Sequence, residues 1–110
     1  MATNFAEVIG EYQTRCEQLL KDAIPDSAEY HAYSTILQVF DQNQTGEPGD
    51  RALAISMALG GKAVGMKPVY GVPPEVCTMV AKARSIVEKW TQDFRRDTGL
   101  SAIGYRYRLV

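Results

Sequence analysis

The chain has 110 residues and a formal net charge of −1, with 45% hydrophobic and 23% charged residues. This length predicts one domain with a modest core, and the composition is typical of an ordinary soluble globular protein. No apolar run is long enough to cross a bilayer, and a single histidine beside two cysteines gives no zinc-ligand spacing. We therefore expect neither a membrane protein nor a metal or other cofactor.

The first predicted helix spans about residues 3–23. Its apolar side chains follow the spacing of an amphipathic helix; they are Phe5, Val8, Ile9, Tyr12, Cys16, Leu19, Leu20 and Ala23. Asn4 is suited to cap this helix, because Glu7 follows it at capping-box spacing. Pro25 ends the helix, and the acids near its start argue against a secretory signal.

A second helix is predicted to begin at Asp26, which serves as the cap while Glu29 follows three residues later. Its apolar stripe consists of Ala32, Tyr33, Ile36, Leu37 and Phe40. The polar run 41–50 then contains Gly46, Pro48 and Gly49, which predict a loop.

Asp50 is predicted to cap a third helix that runs from Arg51 to about Val64. Several alanines and the pair Gly60 and Gly61 give this helix small side chains, which let another helix approach closely. Each glycine costs about 1 kcal/mol relative to alanine in a helix, so close packing or a bend should offset it. The alternative is a helix that kinks or ends at Gly60.

A stiff corner follows, because Pro68, Gly71, Pro73 and Pro74 lie close together. The fourth helix is predicted from about Pro73 to Asp97, with Pro74 and Glu75 suited to its first turn. Its apolar stripe consists of Val76, Met79, Val80, Ala83, Ile86, Val87, Trp90 and Phe94. Thr98 and Gly99 resemble a helix stop. So long a helix is expected to form the spine of the domain.

The last residues differ in character from the helices. Tyr105, Tyr107 and Leu109 alternate with Arg106, Arg108 and Val110, and this period of two predicts an extended segment. Tyrosine and arginine are enriched at interface hot spots, which favours a docking arm, residues 100–110, beside a helical domain, residues 1–99. The alternative is an arm that folds back on its own bundle or frays. The fold class is therefore all-α, a small bundle of about four helices with a long C-terminal spine helix and an extended C-terminal arm.

Charge is unevenly distributed along the chain. Residues 1–50 hold nine acids and two bases, a net charge of −7, whereas residues 82–110 hold seven bases and three acids, a net charge of +4. Opposite ends of this kind favour head-to-tail association between copies. The alternative is two solvated faces without a partner. Cys16 and Cys77 both fall on apolar helix faces and favour reduced core thiols in a cytoplasmic protein over a disulfide.

No group of residues has the arrangement of a nucleophile, a base and an orienting residue, so the sequence does not predict an enzyme. A nucleic-acid-binding or regulatory protein is the alternative function. Lys82, Lys89 and Arg96 share one strip of the fourth helix, with Arg95 beside them, and such a strip can follow phosphates. The acidic N-terminal half and the pI of about 5.8 argue against it.

The stretch Asp50 to Arg96 resembles a helical hairpin found in head-to-tail adaptor proteins of short-tailed bacteriophages, also called tail accessory or head completion proteins. The resemblance is carried by an alanine-rich helix, a Tyr70–Gly71 corner with nearby prolines, and a long helix that ends in an aromatic and basic turn.

The resemblance implies a structural virion protein that is assembled in the bacterial cytoplasm. Such proteins form homo-oligomeric rings, commonly dodecamers, which join the portal protein to downstream tail proteins. It further implies that Lys82, Lys89, Arg95 and Arg96 face a channel with packaged DNA nearby, and that Tyr105, Arg106, Tyr107, Arg108, Leu109 and Val110 bind the portal.

Overall fold

The computed structural model describes residues 3–67 and 70–100. They form four α-helices: α1 (Phe5–Asp22), α2 (Ala28–Asp41), α3 (Pro48–Gly65) and α4 (Pro74–Thr98). The described residues contain no strand, so the all-α prediction is confirmed. Helix α4 has 25 residues and packs against the other three helices, which makes it the spine. Among the described helices, none combines the length and the apolar character that crossing a bilayer requires.

The start of α1 agrees with the sequence prediction. Asn4 Oδ1 accepts a hydrogen bond from the backbone N–H of Glu7 at 3.1 Å, which satisfies one of the unpaired donors of the first turn. The helix ends at Asp22, three residues before Pro25. Ile9, Tyr12 and Cys16 are the buried members of its apolar stripe.

The predicted N-cap of α2 is wrong by one residue. Ser27, not Asp26, is the cap, and its Oγ accepts a hydrogen bond from the Tyr30 N–H at 3.1 Å. Asp26 instead has a φ of 64°, in the left-handed region that aspartate tolerates better than most residues. This turn leaves Ser27 with the extended backbone that a cap needs.

The predicted start of α3 is also wrong. The helix begins at Pro48 rather than at Arg51, and Asp50 lies within its first turn instead of capping it. Proline suits the first helical position, because its φ is already fixed near the helical value and its missing N–H would have no partner there. The loop before α3 is therefore shorter than predicted. Arg51 Nε donates to the Asn43 carbonyl at 2.8 Å, which ties this loop to the helix.

The glycine pair does not interrupt α3, which continues to Gly65. The alternative in which the helix ends at Gly60 is therefore wrong. A Cβ atom at Gly60 would lie only 2.7 Å from Nη2 of Arg95, whereas one at Gly61 would meet no atom within 4 Å. Of the two glycines, only Gly60 has a neighbouring side chain in the space that a methyl group would take.

Both ends of α4 follow the sequence signals. Pro74 is the first helical residue, and Gly99 ends the helix with a φ of 75°. The N–H of Leu100 donates to the Arg95 carbonyl at 2.9 Å and that of Gly99 to the Arg96 carbonyl at 3.3 Å, which is a Schellman motif. Leu100, the first residue of the predicted arm, is buried against the bundle as part of this motif.

An aromatic cluster forms the centre of the core. The ring of Tyr12 on α1 packs edge-to-face on Trp90 and Phe94 of α4, with centroids 5.6 and 5.3 Å apart. Phe40 of α2 packs in the same way on Phe94 at 5.7 Å. Ala52, Ile55 and Leu59 supply the fully buried side chains of α3. The cluster therefore fixes α1 and α2 on the spine helix.

Candidate functional site

The predicted basic strip of α4 is neutralised by carboxylates. Lys82 Nζ lies 2.6 Å from Glu29 Oε1 of α2, and Lys89 Nζ lies 3.4 Å from Asp93 Oδ2. Arg96 pairs with Asp93 and with its neighbour Asp97, at 3.4 and 3.1 Å. The carboxylate of Glu29 raises the pKa of Lys82, chiefly through their hydrogen bond. The strip is therefore a surface of mixed charge, which attracts phosphates less than bare cations would.

Arg95 does not join this strip. Its side chain crosses to α3, where Nε donates to Ser56 Oγ at 2.8 Å and Nη2 donates to the Ser56 carbonyl at 3.2 Å. The close approach to Gly60 gives the guanidinium its space. No carboxylate in the described part of the chain forms an ion pair with it. Arg95 is thus a positioned cation between the two helices of the hairpin.

A concave surface surrounds Arg95 between α3 and α4. It has a volume of about 540 Å³. We call it the hairpin groove; its lining includes Met57, Gly60, Val64, Glu88, Gln92 and Arg95. Met57 is 65% exposed and Val64 is 60% exposed, so the rim of the groove offers apolar atoms to solvent. The two glycines deepen it, because they place no side chain in it.

The turn between α1 and α2 carries the opposite charge. We call residues 22–27 the acidic corner. Ile24 at its centre is 76% exposed, and Asp22 and Asp26 on either side of it are exposed as well. The Ile24 carbonyl accepts hydrogen bonds from the N–H and Oγ of Ser27 at 3.1 and 2.6 Å. An apolar side chain is therefore exposed on an acidic turn whose backbone is held by hydrogen bonds.

A polar contact joins α1 to the end of α4 at the edge of the aromatic cluster. The hydroxyl of Tyr12 donates to Asp97 Oδ2, and the guanidinium of Arg15 lies over the rings of Tyr12 and Trp90, 4.7 and 5.6 Å from their centroids. Burial, together with the bond to Asp97, raises the pKa of Tyr12 to about 12. The same bond lowers the pKa of Asp97. Each partner holds the other in its native protonation state, so this contact stabilises the fold.

The predicted partner-binding residues Tyr105, Arg106, Tyr107, Arg108, Leu109 and Val110 lie outside the described residues, as does Pro68 of the corner. The described part of that corner exposes Tyr70 fully to solvent, and Gly71 has a φ of 87°. No three His, Cys, Asp or Glu side chains within residues 3–67 and 70–100 converge on a position for a metal ion.

The hairpin groove and the acidic corner were not predicted from the sequence. The sequence does contain a signal for the groove. Met57 and Val64 are seven residues apart, which places them on one face of α3. This face is not the one that buries Ile55, Leu59 and Ala63. For the corner, the signal is that Ile24 directly precedes Pro25 and has Asp22 and Asp26 on either side of it. An apolar residue with such neighbours is a poor candidate for the core.

Alanine substitutions at the two glycines are expected to have different effects. Gly61→Ala should raise the free energy of unfolding by up to about 1 kcal/mol, because alanine is the better helix former and its methyl group meets no neighbour. The free energy of unfolding of Gly60→Ala should be about 1–2 kcal/mol lower than that of Gly61→Ala, because the methyl group at position 60 displaces Arg95 from Ser56. Urea unfolding of the two variants measures the difference.

The Arg95→Met background provides the control for this pair. Without the guanidinium, the two alanine variants should gain similar stability, since the obstacle at Gly60 is gone. Equal stability of Gly60→Ala and Gly61→Ala in the presence of Arg95 would contradict the described packing.

The chain matches no family model, no curated protein and no solved structure at a significant level.

Proposed function

We propose that this protein is a structural virion protein, the subunit of a head-to-tail adaptor ring that joins a portal to tail proteins. One observation carries the proposal: the hairpin of α3 and α4 exposes apolar side chains, which are Met57 and Val64 on α3, Tyr70 in the turn and Val76 on α4. This hairpin covers the stretch Asp50 to Arg96 that resembles the adaptor family.

The uneven charge also supports the proposal. The N-terminal half carries a net charge of −7 in residues 1–50, whereas residues 82–110 carry +4. This difference favours head-to-tail contact between neighbouring subunits, although Lys82 and Glu29 already pair within one subunit. Heterologous contacts of that kind close into rings when the rotation between subunits permits. Portal docking is assigned to the arm, Tyr105 to Val110, whose tyrosines and arginines are typical of interface hot spots.

The ion pairs along α4 weigh against the alternative of a nucleic-acid-binding or regulatory protein. Lys82, Lys89 and Arg96 each have a carboxylate within 3.4 Å. A protein gains affinity for nucleic acid by neutralising phosphates with available cations. In a ring, the same mixed-charge surface can face a DNA channel without binding the DNA tightly.

Mass measurement of the purified full chain, alone and with the portal protein of the same phage, tests the proposed function. We expect an oligomer of defined size, or oligomers that form on the portal, and dissociation as salt concentration rises because screened attraction weakens. A chain that ends at Gly104 should retain its helical circular dichroism and lose portal binding.

Two results would contradict the adaptor function. The first is a chain that stays monomeric at every concentration and does not bind the portal. The second is a gel shift of nonspecific duplex DNA at physiological salt by the chain alone, which would favour the nucleic-acid-binding alternative.

A further inference from the structure

We propose that the acidic corner of one copy docks into the hairpin groove of a second copy, with Ile24 between Met57 and Val64 and with Asp22 or Asp26 against Arg95. This inference rests on the proposed function, the adaptor ring, and names the two surfaces through which the subunits of that ring join. The occupant of the groove is thus a second copy of this chain.

The groove has the chemistry to receive such a side chain. Met57 and Val64 leave most of their surface exposed on one face of α3, and Gly60 and Gly61 between them form a floor without side chains. Covering this apolar rim with an apolar side chain removes both from water, which is favourable.

Arg95 gives the groove its preference for an acidic partner. Two of its nitrogens are held by Ser56, so the guanidinium keeps one position, and no carboxylate of the described residues pairs with it. Glu88 also lines the groove, but its carboxylate is bound by Arg84 at 2.8 Å. A charged hydrogen bond from a positioned arginine to an incoming carboxylate is one of the stronger polar contacts in proteins.

The acidic corner has the complementary features. The two hydrogen bonds from Ser27 to the Ile24 carbonyl hold the backbone of the turn, so little backbone freedom is lost when the corner docks. Asp22 and Asp26 have no ion pair within the described part of the chain. Asp22 accepts a hydrogen bond from Gln18 Nε2 at 3.1 Å, which leaves its negative charge available to a cation. Single exposed apolar residues are common on protein surfaces, so it is the isoleucine together with two carboxylates without an ion pair that distinguishes this corner.

The contact joins two copies rather than two parts of one chain. Ile24 is 76% exposed while Met57 and Val64 are at least 60% exposed, so the corner does not fill the groove of its own subunit. The two surfaces share no residue, and each copy therefore offers one corner and one groove. Contacts of this kind are heterologous and continue from copy to copy until the ring closes.

Two full-length variants that each disable one surface test the proposal. Ile24→Asp removes the apolar side chain of the corner, and Met57→Asp places a charge on the rim of the groove. Each variant should lower self-association at least about tenfold, since an apolar anchor at the centre of a contact carries much of its affinity. Ala81→Asp, at an exposed position of α4 outside the groove, is the control and should assemble like the natural chain.

Mixing the two variants is the decisive measurement. Each has one intact surface, so Ile24→Asp and Met57→Asp together should form a dimer and nothing larger, as measured by native mass spectrometry. Circular dichroism should show all three variants folded, because the substituted side chains are exposed.

The possible failures are distinguishable. If the natural chain forms the ring and either variant leaves it intact, the contact lies elsewhere and the proposed function survives while this inference is overturned. If Ile24→Asp leaves the ring intact while Met57→Asp disrupts it, something other than the corner occupies the groove, and this inference is likewise overturned. If the natural chain is monomeric alone and on the portal, both proposals are overturned.

Discussion

Replacing Phe94 by alanine is expected to lower the free energy of unfolding by about 3–5 kcal/mol. Phe94 is 0% exposed and its ring packs edge-to-face on Tyr12 and Phe40, so it joins three of the four helices. Neighbouring rings cannot easily collapse into the space left behind, because they are held by helices on opposite sides. Domains of this size are stable by only about 5–15 kcal/mol, so the variant should unfold at markedly lower urea concentration.

Trp90 provides the signal for this measurement, since it is the one tryptophan of the chain and lies buried beside Tyr12. Tyr70→Ala is the matched control, because it also removes an aromatic ring but from a fully exposed position. Its effect should stay within about 0.5 kcal/mol. Equal losses for Phe94→Ala and Tyr70→Ala would place the core elsewhere.

The two cysteines are expected to differ in reactivity by roughly a thousandfold or more. The thiol of Cys16 is fully buried and donates to the Tyr33 carbonyl at 3.2 Å, and burial raises its pKa to about 12. Because the thiolate is the reactive form, and because the reagent reaches Cys16 only when the bundle opens, its alkylation should follow the unfolding equilibrium. If opening the bundle costs about 5 kcal/mol, the alkylation of Cys16 is slowed by a factor of that order.

Cys77 is the internal reference for this experiment, since it lies only half-buried near the start of α4. Iodoacetamide treatment followed by peptide mass mapping measures both rates in one sample. In denaturant the two rates should converge, because both thiols are then exposed. Equally rapid modification of Cys16 and Cys77 in the native protein would show that α1 and α2 separate far more readily than their packing indicates.

The helices were predictable from the sequence because each buries one apolar stripe in a common core. The Asn4 cap, the Pro74 start and the Gly99 stop also depend only on residues within the same turn of chain. The starts of α2 and α3 were not predictable in the same way. Asp26 and Ser27 are both good caps, and the choice between them depends on the left-handed turn at Asp26. At α3, the fixed φ of Pro48 outweighed the capping preference of Asp50.

The candidate site was less predictable, because its features depend on how helices meet. The pairs Arg84–Glu88 and Lys89–Asp93 follow from a spacing of four residues on one helix. The pair Lys82–Glu29 depends on the register between α4 and α2, which no local pattern determines. Close packing at Gly60 was predicted, but the sequence did not reveal that the neighbour would be the charged Arg95 rather than an apolar side chain.

The Schellman motif at the end of α4 limits how far the chain's final segment can act. Leu100 is locked to the bundle by its hydrogen bond to Arg95 and by its burial. Arg108 lies eight residues after it, and a fully stretched segment of that length spans at most about 26–29 Å. In the proposed assembly, a partner that contacts Arg108 would therefore have to lie within about that distance of Leu100, apart from the length of the arginine side chain.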